Sequence, residues 1–131
     1  MKYRKFEELP IWKESIDLTK YIYDLSSSGK WAKDFGLRDQ IRRAIISISS
    51  NIVEGFEKSN NNELIRYLRI AKGSAGEVRN QLHIAQVLSY ISRSEFESAN
   101  QNLNKLAADI GGFIVYLEGY RKTQSAIRNL K

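Results

Sequence analysis

The 131-residue chain has no cysteine, a single proline and a single histidine. Without thiols it forms no disulfide, no thiolate metal site and no cysteine nucleophile. One imidazole cannot supply the donor sets that zinc favours. His83 has neither Glu nor Asp three residues before it, so the Glu-x-x-His repeat of a di-iron bundle is missing. The serines show no nucleophile elbow and no partnered base. No apolar run approaches the ~20 residues that span a bilayer. The opening residues, MKYRKFEEL, lack the apolar middle of a signal peptide, so the expected location is cytoplasmic. These absences point away from enzymes. The expectation is a binding or scaffolding protein with no cofactor, no metal and no membrane association.

What is present is positive charge and helical periodicity. Lys and Arg number 21 against 15 Asp and Glu, a formal charge of +6. Such a balance favours polyanionic partners, RNA or DNA among them. The length suits one domain, which buries about two thirds of its unfolded surface and needs no staples. Abundant Leu, Ile, Ala, Lys, Glu and Gln with one proline point to helices.

The strongest pattern runs from Gln40 to Gly55, QIRRAIISISSNIVEG. On a helix, Leu37, Ile41, Ala44, Ile45, Ile48 and Ile52 fall in an arc of roughly 100°, the width of a core-facing stripe. Adjacent Ile45 and Ile46 break the alternation that a strand requires. Gln40, Arg43, Ser47, Asn51 and Glu54 occupy the far side at spacings of three or four. They form either a solvated face or a polar seam against a helix or another subunit.

Pro10 suits the first turn of a helix carrying Ile11, Ser15, Leu18, Ile22 and Leu25 on one stripe. Ser26-Ser27-Ser28-Gly29 stops it. Trp31 and Phe35 in the following connection are expected to plug the end of the core. The second helix is expected to start near Leu37 or Arg38 with a poor cap, helped by Asp39 through the helix dipole, and to stop at Gly55. Asn60 with Glu63, and Ser94 with Glu97, read as capping boxes opening helices three and four. Leu64, Leu68, Ala71, Ala75, Val78, Leu82 and Ala85 alternate by four and three. So do Ala99, Leu103, Leu106, Ile110, Phe113, Leu117 and Tyr120. The reading is an all-α, antiparallel up-down-up-down four-helix bundle in one domain. Its helices lie at about 10–25, 37–56, 61–90 and 95–121, with a frayed tail at 122–131.

Two features lie outside the core pattern. Gly73-Ser74-Ala75-Gly76 places two glycines in mid-helix, at a cost of about 1 kcal/mol each relative to alanine, so another backbone is expected to approach there. Gly111-Gly112 is a second candidate. A phosphate loop fits poorly, because no strand precedes the glycines and no Walker-type lysine follows. Second, Arg69, Lys72, Gly76, Arg79 and His83 share one side of the third helix with no acidic residue between them. Arg38 and Arg42 join them if the bundle rotation allows. Such a strip neutralises successive phosphates, and with no RNA-reading aromatic motif it would follow backbone shape. The competing account is a solvated face. Ile46, Val53, Ile70, Ile84 and Val87 fall off the main stripes, which points to a homo-oligomer.

FEELPIW at Phe6–Trp12, FGLRDQIRRA at Phe35–Ala44, SISSNIVEG at Ser47–Gly55 and LRIAKGSAGE at Leu68–Glu77 carry a resemblance over nearly the whole chain. It resembles the small four-helix-bundle family encoded in intervening sequences of bacterial 23S rRNA genes, also labelled S23 ribosomal protein. Relatives commonly carry proline where Ser49 stands here. The resemblance implies a bundle that assembles into a homopentamer. More distantly it is similar to the accessory protein of diversity-generating retroelements, which is basic and binds a reverse transcriptase. The resemblance transfers no catalytic residue. The expected contacts to nucleic acid or a protein partner are Arg38, Arg42, Arg43, Arg69, Lys72, Arg79 and His83. Gln40, Ser47, Asn51 and Glu54 form the expected oligomer or polar seam. The alternative role is a scaffold that recruits a protein without nucleic acid.

Overall fold

Pro10 does open the first helix, where its missing N–H leaves nothing unsatisfied. The computed structural model describes residues 1–130, with backbone alone at 121 and 122. Four helices follow in order: α1 (Pro10–Ser26), α2 (Phe35–Glu57), α3 (Asn61–Val87) and α4 (Arg93–Asn129). Short 3-10 turns occupy Phe6–Glu8 and Trp31–Lys33. No strand occurs among the described residues. Each helix packs on its neighbours in sequence, and α4 closes back onto α1. The chain is an all-α, antiparallel four-helix bundle.

The stripes read from periodicity meet in one apolar cluster. Ile41, Ile45, Ile48 and Ile52 of α2 are fully buried, as are Leu68, Ala71, Ala75, Val78 and Leu82 of α3. Burying one isoleucine contributes roughly 1.5–3 kcal/mol. That outweighs the ~0.5 kcal/mol its branching costs a helix. On α4 the stripe slips after Ile110. Ile114 and Leu117 are buried, whereas Phe113 is half-buried and Tyr120 is exposed. A straight helix drifts by about 20° per heptad against a strict seven-residue repeat, so the core positions move along the pattern.

The helix ends correct several expectations. α2 starts at Phe35, not Leu37, because Asp34 caps it by accepting the Leu37 N–H at 3.1 Å. The α4 capping box is Ser92 with Glu95, two residues before the expected pair. Asn60 caps α3 as expected, accepting the Glu63 N–H, while the Glu63 carboxylate goes to Arg66. α3 ends at Val87, because Ser89 takes φ 62 and the Tyr90 and Ser89 N–H groups return to Ala85 and Gln86. α4 continues to Asn129 rather than ending at 121, since nothing in Thr123–Asn129 breaks a helix. Lys131, the last residue of the expected frayed tail, lies outside the described residues.

The glycines exchange roles. α2 runs through Gly55 and ends at Glu57, with Ser59 at φ 54 making the turn. A Cβ on Gly55 would stand 2.7 Å from Tyr67 Cβ and 3.3 Å from Leu64 Cα, so Gly55 is the close-approach residue. A Cβ on Gly73, Gly76 or Gly112 would meet nothing within 4 Å, and one on Gly111 would meet only Lys72. The expected backbone approach at Gly73 and Gly76 is absent: both are exposed, with no neighbouring atom near the Cβ position. Trp31 is fully buried and plugs the core end, whereas Phe35 is 63% exposed under the Arg38 guanidinium.

Candidate nucleic-acid interface

The side of α3 that carries the basic strip faces α4. Arg69 donates to Glu118 Oε2 at 3.1 Å, and Arg79 donates to Asn100 Oδ1 at 3.4 Å. The Lys72 ammonium lies against Gly111, and the His83 ring lies 4.6 Å from that of Phe96. As numbers rise along α3 their partners fall along α4, so the strip is the antiparallel α3/α4 seam. The sequence reading that these residues share one side holds. What it missed is that the long stems cover a neighbouring helix. Lys72 and His83 remain exposed at the edge.

Arg38 and Arg42 do not join this strip. They lie on the side of α2 that faces α1. Arg42 donates to Ser26 Oγ at 3.0 Å, Ser27 Oγ at 2.8 Å and the Tyr23 carbonyl at 3.4 Å. Its guanidinium lies 4.4 Å from the Tyr23 ring. It therefore closes the carboxyl end of α1, where a cation meets unsatisfied carbonyls and the negative end of the dipole. Arg38 donates to the Ala32 carbonyl and pairs with Asp39 at 3.2 Å. Arg43 points outward, with no hydrogen bond or ion pair.

The polar seam of α2 is turned largely onto α3. Ser47 and Ser74 share a hydrogen bond of 3.0 Å, and Asn51 donates to the Ser47 carbonyl at 2.7 Å and its hydroxyl at 3.0 Å. Glu54 accepts the Tyr67 hydroxyl at 3.3 Å, and Gln40 is exposed. Nearby on α3, the Gln81 carbonyl oxygen is buried without a partner.

Two clusters escaped the sequence reading. Asp34 accepts the Leu37 N–H and, at 2.8 Å, the Tyr90 hydroxyl. These two donors hold its carboxyl below the ordinary range, and the carboxylate raises the Tyr90 phenol. Between α1 and α4, Lys105 pairs with Glu14 at 2.9 Å and Asp109 at 2.8 Å. Burial pushes the Glu14 carboxyl up, the Lys105 ammonium holds Asp109 down, and hydrogen bonds to both acids raise Lys105. Lys105 and Asp109 stand four apart on one helix, but nothing local links them to Glu14, nor Asp34 to Tyr90.

Adjoining grooves of about 580 and 430 Å³ flank this cluster, the first lined by Asp17, Tyr21 and Asn102 and the second by Tyr3 and Phe113. Among the described residues no group of His, Asp or Glu could hold a metal ion. No helix there is long and apolar enough to cross a membrane.

The sequence profile of the 23S rRNA-intervening sequence protein family matches residues 7–112. A crystal structure at 1.70 Å resolution, of a protein with unknown function from the S23 ribosomal protein family of Bacteroides thetaiotaomicron VPI-5482, is similar in fold. It is 25% identical with a TM-score of 0.73, and the match covers 79% of this chain and 97% of that one. No curated protein matches the sequence.

Proposed function

We propose, for a chain that belongs to the 23S rRNA-intervening sequence protein family, a cytoplasmic, non-enzymatic and homo-oligomeric bundle that binds the phosphate backbone of nucleic acid. The supporting observation is an excess of exposed cations without carboxylate partners in a chain of formal charge +6, Arg43 and Lys58 among them. Cations already held in ion pairs, such as Arg66 with Glu63, have less to gain from a phosphate. Each neutralised phosphate releases counterion, so binding weakens steeply with salt. Fluorescence anisotropy with labelled RNA and DNA tests this reading. Affinity should fall at least tenfold, as an order-of-magnitude estimate, between low and moderate salt. Binding indifferent to salt, or no binding at low salt, overturns it.

A second reading is a scaffold that recruits a protein. Exposed Ile46, Ile70, Ile84 and Val87, the last 81% accessible, favour it. These residues also support assembly into a homo-oligomer, and the family resemblance suggests a pentamer. Light scattering that returns the 15.1 kDa of one chain overturns assembly.

A further inference from the structure

We infer that the nucleic acid is single-stranded and is held at the end of the bundle where the N-terminal arm, the α2–α3 turn and the last turns of α4 meet; this rests on the reading above. What distinguishes that end is exposed cations that no carboxylate holds. Its described side chains, at residues 1–9, 54–69, 116–120 and 123–130, include seven Lys and Arg against six Asp and Glu. The opposite end, residues 20–42 and 88–97, contains six against five. There Lys20–Asp24, Arg38–Asp39 and Arg93–Glu97 close into ion pairs, and Arg42 is spent on the end of α1.

At the basic end Glu63 holds Arg66 and Glu118 holds Arg69, but the other described cations have no carboxylate partner. Glu8 turns onto backbone, accepting the Arg4 and Lys5 N–H groups at 2.8 and 2.9 Å. The Arg4 and Lys5 side chains are left exposed without a carboxylate partner. Lys58 in the α2–α3 turn and Arg128 near the end of α4 make no ion pair either. Their contacts are the Tyr67 ring and the Ser125 hydroxyl.

Aromatic faces lie among these cations. Tyr3 meets Phe113 edge-on at 6.4 Å, and Phe113 stacks on Tyr116 at 6.1 Å. Tyr116 and Tyr120 are 54% and 44% exposed. Tyr120, Arg128, Asn60, Asn61 and Met1 line an open concavity of about 480 Å³, within the size range of small-ligand pockets. At the other end the strongly exposed ring, Phe35, is already covered by Arg38. Cations that track a backbone, with tyrosines that stack on splayed bases, form the pattern by which proteins hold single strands. A duplex hides its base faces and would leave the tyrosines and the concavity unused. The α3 strip lacks this pattern, because its cations are laid across α4.

The test is anisotropy with a short labelled oligouridylate, the matching duplex and heparin, on variants that melt like the parent. Replacing Arg4, Lys5, Lys58 and Arg128 together with Gln should cost about tenfold or more in oligouridylate affinity. It should also flatten the salt dependence by about 0.7 per lost phosphate contact. Tyr120→Leu should cost about tenfold on oligouridylate and leave heparin unchanged. Lys72→Gln with Arg79→Gln should stay within about twofold, as expected for cations that make no phosphate contact. A larger loss from the strip pair than from the end variant overturns the location alone. Equal affinity for the duplex, or an indifferent Tyr120→Leu, overturns the single-strand assignment. A parent protein that binds no oligonucleotide at low salt overturns the proposed function as well.

Discussion

Two seams of the bundle, α2/α3 and α1/α4, are built from the same helical periodicity and differ in how closely they close. Along α2/α3 the facing residues are small. Gly55 admits the Tyr67 and Leu64 backbones, and Ser47 and Ser74 touch through their hydroxyls. Along α1/α4 the flanking residues are long and charged, and grooves of about 580 and 430 Å³ lie between the helices. One lysine joins the two sides. The difference teaches that matched apolar stripes bring helices together, while residues at the stripe's margin set how near the backbones come. It also shows where polar groups do structural work. On the tight seam they satisfy one another across a half-buried contact, and on the open seam water competes with them.

The largest test of this contrast is glycine replacement. Gly55→Leu should cost about 3 kcal/mol in denaturant unfolding, because the new side chain meets Tyr67 Cβ, which the backbone fixes, and Leu64 Cα rather than the free end of a side chain. Gly112→Ala on the α1/α4 side should be neutral or stabilise by about 0.5–1 kcal/mol, since its Cβ meets nothing. Equal effects at the two positions would erase the distinction. Next, Ser47→Ala should cost about 1 kcal/mol, because it strips Ser74 and Asn51 of a partner. Adding Ser74→Ala should then cost less than it does alone, a coupling that a double-mutant cycle reads directly.

The smallest effect is on the open seam and appears as pH dependence. Burial raises the folded-state Glu14 carboxyl above its ordinary 4.5. Between that ordinary value and the folded one, the folded protein binds more protons than the unfolded chain. Glu14 therefore adds stability as pH falls through this window. Asp109, held down by Lys105, acts oppositely, and its contribution is lost as pH falls through its folded value, below 3.8. Glu14→Gln should remove the first trend, so the parent melting temperature should rise relative to the variant's as pH falls through the Glu14 window, and the two should run parallel above it. Parallel curves throughout would mean that Glu14 is not perturbed.

Much of the bundle is legible in the sequence. Ile41, Ile45, Ile48 and Ile52 were assigned to the core from spacing alone, and all four are buried. The α3 stripe from Leu64 to Ala85 is also where periodicity put it. The misses have common causes. Asp34 lies before a phenylalanine and a glycine, so it reads as loop until its side chain is seen on the Leu37 amide. Arg42 reads as part of an exposed basic strip, yet its partners, Tyr23, Ser26 and Ser27, lie at the end of another helix. Gly73 and Gly76 looked like contact points and Gly55 like a stop. A glycine marks either role equally, and only the neighbouring helix distinguishes them.

For the candidate surface, the sequence supplied the charge and the structure supplied its distribution. Arg69, Lys72, Arg79 and His83 share a side, as their spacing requires. That this side meets α4 depends on the rotation of α3 in the bundle, which no local pattern encodes. The cations and tyrosines of the basic end come from segments far apart in the chain, Tyr3 with Phe113 for example.

By itself the sequence determined the helices, their buried faces, the excess of positive charge and the family to which the chain belongs. Each is a property of composition or of residues three and four apart, where one turn of backbone fixes the geometry. Tertiary structure alone decided which glycine is a contact, which arginine is a cap, which seam stays open and which end gathers unpaired cations. Those depend on the rotation and separation of helices, which are set by packing the whole core at once.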